Sequence, residues 1–282
     1  MSVWKTVLLV MQREFAARKK AFAVSTGIIV SVAVGAIVLA SLATESSGGP
    51  QVTAAEADEG IAFVSVILLF LGIIFTGQVI MEGVAEEKRS RVVEVVLGTM
   101  LPRHLLTGKV AAIGLMGLGE IVLLTVSTVA AARALDVFEV PMGTILGLAS
   151  MVVWFLLGFA LYSALYGAAG AMVSPHENVA NGAFPINISL AIPYMVAVTT
   201  APVGDNVVLR ILSLVPLSAP LTMPLRMIRR FAEPWEIGLS LGLTVVATYL
   251  LIRLAGRLYT GAIMRGGKVR WRDAWRTAAH VE

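Results

Sequence analysis

The chain has 282 residues, of which 57% are hydrophobic and only 14% charged, against about a quarter charged in an average soluble domain. That balance excludes an ordinary water-soluble enzyme, and it excludes disorder, because unfolded segments are poor in apolar residues and rich in charge. The absence of cysteine removes disulfide frameworks, thiolate nucleophiles and zinc fingers, and a net charge of +4 makes the placement of the 22 Lys and Arg residues the next question.

In chain order, residues 1–20 place Trp4, Leu8, Met11 and Phe15 at helical spacing opposite Lys5, Gln12 and Arg13. This predicts an amphipathic elbow helix lying in the membrane interface. A bilayer core about 30 Å thick needs about 20 apolar helical residues. Residues 21–44, 60–81 and 180–202 supply charge-free runs of that length, and 110–132 does so with one exception, Glu120. Residues 143–173 exceed what one span needs, which suggests a tilted helix or an interfacial lead-in. The last run, 235–255, holds Glu236 and Arg253 near its ends, where charged side chains reach the headgroups. These runs predict an all-α integral membrane protein with six transmembrane helices. The basic lead of 1–20 and the apolar run of 21–44 are both longer than the regions of a signal peptide, so the first span is expected to stay uncleaved.

An even number of spans puts both termini on one side. With that side cytoplasmic, 17 of the 22 cations lie inside and five, Arg133, Arg210, Arg226, Arg229 and Arg230, lie outside. That asymmetry predicts a multi-pass protein of the cell membrane with cytoplasmic termini. The basic balance therefore reports topology, and no soluble domain carries a basic stretch interleaved with stacking aromatics as nucleic acid binding would require.

Three segments depart from simple spans. Residues 206–231 carry Pro216, Pro220 and Pro224, which forbid one continuous helix and predict a re-entrant or interfacial pair of short helices at the external face. Pro185 and Pro193 free the carbonyls of Asn181 and Ser189 and should kink the fifth span. The tail, 256–282, sets Trp271 and Trp275 four apart and Arg272 and Arg276 four apart, a second headgroup anchor. Two GxxxG pairs, Gly143 with Gly147 and Gly238 with Gly242, predict close helix packing.

Catalytic motifs fail on inspection. Gly108-Lys109 and Gly267-Lys268 lack both the preceding glycine and the following Ser or Thr of a phosphate-binding loop. Gly238-Leu239-Ser240-Leu241-Gly242 matches GxSxG but sits in a membrane run without the strand-turn-helix setting or a histidine partner. His104, His176 and His280 form no HExxH metal site. No catalytic residue, cofactor or metal is expected in this chain.

The stretch after the second span carries Glu86, Glu87, Lys88, Arg91 and Glu94, with Val92, Val93, Val96 and Leu97 on one face of a helix too short to span. A short apolar face flanked by charge suits docking of a soluble partner, and it equally suits a surface helix packed on its own bundle. Together with Pro102, Leu105, Leu106, Gly108 and Lys109, this stretch resembles the permeases of the type-2 ABC exporter superfamily, in particular the sodium-efflux-type branch. Pro216 to Arg226 and the Arg13-Glu14 opening resemble that branch too. The resemblance implies a dimer of six-span units on two cytoplasmic ATPase subunits, with ATP and Mg bound in those partners. It also implies a coupling helix over 86–100, formed by Glu86, Glu87, Lys88, Arg91, Glu94, Val96 and Leu97. Many members of the branch carry a large extracellular insertion after the first span, whereas here only 45–59 separates the first two spans.

Glu120 falls near the bilayer midplane, where a charge costs about 2.5–3.5 kcal/mol on insertion scales. It is a candidate cation or proton site with Gln78, Asn181 and Asn187, or a protonated acid bonding a neighbouring helix. The function expected is export driven by a separate ATPase. A secondary cation-coupled transporter using Glu120 would need more intramembrane ionisable residues and internal repeats, and a non-transporting scaffold is the third reading.

Overall fold

A computed structural model describes residues 8–20, 54–89, 102–134, 142–173, 179–200 and 204–263, with isolated positions between 22 and 35. All regular elements among these residues are helices. Residues 8–20 form α1, and α2 (Ala54–Arg89), α3 (Pro102–Ala134), α4 (Met142–Met172) and α5 (Val179–Thr200) follow. Two short helices, α6 (Val207–Leu214) and α7 (Ala219–Ile228), precede the last, α8 (Pro234–Ile263). The stretches Ala62–Glu86, Thr107–Ser127, Ile145–Met172, Val179–Thr200 and Pro234–Leu258 are each long and apolar enough to cross a bilayer. This is an all-α integral membrane protein. The first predicted span, 21–44, lies largely outside the described residues, although Val30 packs with Leu68 of α2 and Leu124 of α3.

At the centre, α4 packs on α2, α3, α5, α7 and α8. Its sequence explains why. Phe155, Phe159, Tyr162 and Tyr166 recur at helical spacing and are almost fully buried, forming one aromatic stripe. Glycines on the neighbouring helices leave room for these rings. A Cβ on Gly117 of α3 would stand 2.7 Å from Phe155 Cζ, and one on Gly114 would stand 2.5 Å from Phe159 Cε1. On α2, Gly77 lies directly against the Tyr166 ring. Elsewhere α4 supplies the glycine itself: a Cβ on Gly158 would meet Pro220 of α7 at 2.8 Å, and one on Gly170 would meet the Met81 carbonyl oxygen of α2 at 2.6 Å.

The expected glycine pairs divide. Gly147 seats Ile228 of α7, whose Cα would be 2.8 Å from an added Cβ, whereas Gly238 and Gly242 face open space within the chain. Both prolines of α5 remain inside a continuous helix. In residues 206–231, Pro216 falls in the turn between α6 and α7, Pro220 sits in the first turn of α7, where its missing N–H costs nothing, and Pro224 lies inside that helix.

The last helix is polar inside and apolar outside. Glu236, Ser240, Thr244 and Thr248 form its buried stripe, while Leu239, Leu243, Val246 and Leu250 are exposed. In lipid that inversion is favourable, because outward apolar groups meet acyl chains while Glu236, Ser240 and Thr244 meet partners inside.

Since the Met81 oxygen is backbone, Gly170→Ala must push α2 and α4 apart, and overpacking of this kind costs about 1–3 kcal/mol. The thermal midpoint of the detergent-solubilised protein should fall for Gly170→Ala and hold or rise for Gly242→Ala, which meets nothing and gains helix propensity. Equal midpoints would show that the α2–α4 contact is not as close as described.

Candidate functional site

Residues 204–236 build a charged cluster where α6, α7 and α8 meet. Asn206 caps α6 by accepting the Leu209 N–H at 2.8 Å, which fixes Asp205 beside the start of that helix. Arg226 of α7 is fully buried. Its Nε and Nη2 donate to the two carboxylate oxygens of Asp205 at 3.1 and 3.2 Å. The same guanidinium reaches Ser213 Oγ at 2.9 Å, Glu236 Oε2 at 2.9 Å and the Phe231 carbonyl at 3.2 Å. A planar fork with five donors is the side chain suited to so many acceptors at once.

Glu236 is equally committed. It lies in the first turn of α8 and accepts the Glu233 backbone N–H at 3.1 Å, closing one half of a capping box. Its other oxygen pairs with Arg210 of α6, whose guanidinium lies 5.7 Å from the Trp235 ring centroid. Two cations thus meet two anions, with Arg226 and Glu236 buried and Asp205 and Arg210 at the exposed edge, so the cluster is neutral as well as hydrogen-bonded. Ser240 completes the join by donating to the Ser213 carbonyl. The serine of the GxSxG pattern is therefore a helix-to-helix contact.

The turn after α7 makes this geometry possible. Phe231 N–H bonds the Arg226 carbonyl at 2.8 Å and Arg230 N–H bonds that of Met227 at 3.1 Å, with Arg230 left-handed at φ 61°. This is a Schellman ending with arginine in the position glycine usually takes. Arg229 then reaches Glu59 of α2 at 3.6 Å.

The residues expected to carry function are distributed differently. Glu120 is buried on α3, with 9% of its surface exposed. Gln78 is half-buried on α2 and Asn181 is exposed on α5. Asn187 accepts a hydrogen bond from the Tyr166 hydroxyl at 2.5 Å, and Tyr162 donates to the Leu217 carbonyl at 2.9 Å. No substantial packing joins α3 to α5, so Glu120 and the two asparagines sit on separate sides of the central helices. Of the coupling residues, Glu86 is exposed at the end of α2. Glu87 and Lys88 continue the helix, and Arg91, Glu94, Val96 and Leu97 lie outside the described residues. Lys109 is buried at the start of α3, its Nζ 3.9 Å from Glu14 of α1 and 2.7 Å from where a Cβ on Gly83 would stand. Glu14 is held in turn by Arg18 at 3.1 Å, while Leu8 and Phe15 stay exposed. Among the described residues no cluster of His, Cys, Asp or Glu is placed to hold a metal ion.

Residues 22–257 match the family described as ABC-2 family transporter protein, and the chain belongs to that family. It is 24% identical over 220 residues to the uncharacterized protein YhaP of Bacillus subtilis, an alignment covering 73% of this chain and 51% of the relative. It is 26% identical over 194 residues to the uncharacterized protein MJ1024 of Methanocaldococcus jannaschii, covering 69% and 47% respectively. The chain thus spans about half the length of these curated relatives. No solved structure matches it.

Sequence reasoning placed Arg226 among external cations and missed its role. The available signal was that Asp205 and Glu236 bracket an apolar segment that holds four arginines, Arg210, Arg226, Arg229 and Arg230, and one further acid, Glu233. Removing one partner of a buried pair leaves an uncompensated charge and costs about 3–5 kcal/mol, whereas replacing both with apolar residues can be neutral. Arg226→Met and Glu236→Met should therefore each lower the unfolding midpoint markedly, and the double variant should recover most of the loss. Additive losses would refute this coupling. In the adjoining turn, Arg230→Gly should stabilise by about 1 kcal/mol, because only glycine adopts the left-handed backbone without strain.

Proposed function

We propose that the chain is the membrane-spanning permease subunit of an ATP-driven exporter. The observation that carries this reading is the family match over residues 22–257. ATP and Mg are bound by separate cytoplasmic ATPase subunits, two per transporter, which dock on residues 86–100. The exposed Glu86 at the end of α2 supports a docking surface there. The protein resides in the cell membrane with both termini cytoplasmic, as the distribution of Lys and Arg supports.

A second permease copy or homologue completes the path. Supporting this is α5, an apolar helix with Phe184, Ile188, Ile192 and Met195 exposed along one face and Asn181 at its start. Two prolines interrupt its backbone bonding, and freed carbonyls in a membrane helix are tolerated where they line a cavity or meet a neighbour. Glu120 serves as a cation or proton site, with Gln78 on the neighbouring α2 as a further polar position. Its burial in a membrane-spanning stretch supports that assignment.

Affinity purification of the intact protein from its own host membranes tests the first part. An ATPase chain should copurify, and Val96→Asp should abolish its retention without loss of the permease. Absence of any ATPase, or unaltered retention by the variant, would exclude the docking assignment. For the carboxylate, Glu120→Gln should reduce transport about tenfold or more and flatten its dependence on pH or sodium. Transport that keeps both its rate and its ion dependence would remove Glu120 from the pathway.

A further inference from the structure

The end of the bundle opposite the arginine cluster holds a second set of charges. Lys109 is the third residue of the α3 stretch that can cross the bilayer, Thr107–Ser127, and Gly83 lies about one turn from the end of the corresponding α2 stretch, Ala62–Glu86. The two residues meet. A Cβ on Gly83 would stand 2.7 Å from Lys109 Nζ, 3.2 Å from Cδ and 3.3 Å from Cε. The outer length of the lysine thus lies across bare backbone of α2, and only 2% of the residue is exposed.

From this notch the ammonium reaches a third helix. Its Nζ is 3.9 Å from Glu14 of α1, and Arg18, one turn further along α1, donates to Glu14 at 3.1 Å. Met11, Glu14 and Arg18 form the half-buried face of α1, whereas Leu8 and Phe15 are exposed on a second face and Arg13 and Lys20 on a third. The face that α1 turns to the bundle is therefore the one that carries the ion pair. Side-chain exposure is 3% for Lys109 and 15% for Glu14, and such shielding strengthens a pair relative to one at the surface.

We propose that Lys109 is a positioning residue for ATPase docking: seated on Gly83 and paired with Glu14, it fixes where the Glu86 end of α2 stands relative to α1. This rests on the reading that an ATPase docks at Glu86. That glutamate is exposed and three residues beyond Gly83, on about the next turn of the same helix. A partner pressing on this end moves the Gly83 backbone, and with it the lysine laid across it and the carboxylate of α1. Close-packed groups transmit such a shift because they have no slack to absorb it.

The test uses the full-length protein, whose lack of cysteine allows two spin labels to be placed through Gln12→Cys on α1 and Glu82→Cys on α2, both exposed positions. Electron paramagnetic resonance in nanodiscs reads the α1–α2 distance. Affinity purification of the unlabelled protein from its host membranes reads ATPase retention. Glu14→Gln should broaden the distance distribution and lower retention about fivefold. Gly83→Ala should do the same without changing any charge, because the added methyl meets the flexible end of Lys109 rather than backbone. The double variant Glu14→Gln/Lys109→Met leaves no unpaired charge from this pair, so its unfolding midpoint should return toward that of the wild type. Its distance distribution should nevertheless stay broad and its retention low. Arg13→Gln, on an outward face, should alter neither reading. Retention that recovers together with the midpoint in the double variant makes the pair merely structural and overturns the proposal. So do unaltered distances in Glu14→Gln and Gly83→Ala, and both outcomes leave the permease reading intact. A wild-type protein that retains no ATPase overturns that reading instead, and the distance measurement, made without the ATPase, tells the two failures apart.

Discussion

Helices in a bilayer gain little from burying apolar surface against one another, since lipid tails are as apolar as leucine. Association must come from close, well-fitted contact, and here that contact is the aromatic stripe of α4 set into glycine gaps on α2 and α3. The Phe155, Phe159 and Tyr166 rings occupy space that any side chain at Gly117, Gly114 or Gly77 would take. The remaining helices arrange themselves around this pair of surfaces. The bundle is held by shape, with dispersion as the attractive term.

Most of the polar chemistry at the start of α8 is answered by a partner. The inward stripe of α8 begins at Glu236 and Ser240, which pair with Arg226, Arg210 and the Ser213 carbonyl. These contacts bind α6, α7 and α8 into one unit, and Gly147 and Gly158 let α7 approach α4 closely. At the opposite end of the molecule, Lys109 and Glu14 tie α1 to α3 beside Gly83 of α2. Charge therefore joins elements at both ends, while glycine and aromatic rings join them in between. Such an arrangement suits a membrane protein, because ion pairs near the headgroups cost less to bury than pairs at midplane.

Much of the helical architecture was legible because spanning a bilayer demands length and apolarity, two properties that composition displays directly. The prolines near Pro216 likewise announced a break that the α6–α7 turn occupies. Less legible was everything that depends on which residue meets which. GxxxG spacing pointed to Gly238 and Gly242, yet those face open space. The glycines that seat the rings follow no single spacing and are defined by aromatic residues dozens of positions away. Arg226 looked like one more external cation, since nothing local reveals that Asp205 and Glu236 converge on it. For the candidate sites, sequence supplied residue types suited to coupling and ion binding but not their neighbours. Separation of Glu120 from Asn181 and Asn187 became visible only with the helix order around α4.

The arginine cluster also bears on how the chain is made. Asp205, Arg210, Arg226 and Glu236 fall within a short length of sequence, so their pairing needs no distant segment to arrive first. A ribosome delivers both arginines before it delivers Glu236, and the carboxylate that opens the last helix meets its counterions as soon as it emerges. The most polar side of α8 can thus enter the membrane already neutralised. Emergence of α8 becomes the step at which α6, α7 and α8 lock together, and the loop that this pairing closes is local in sequence.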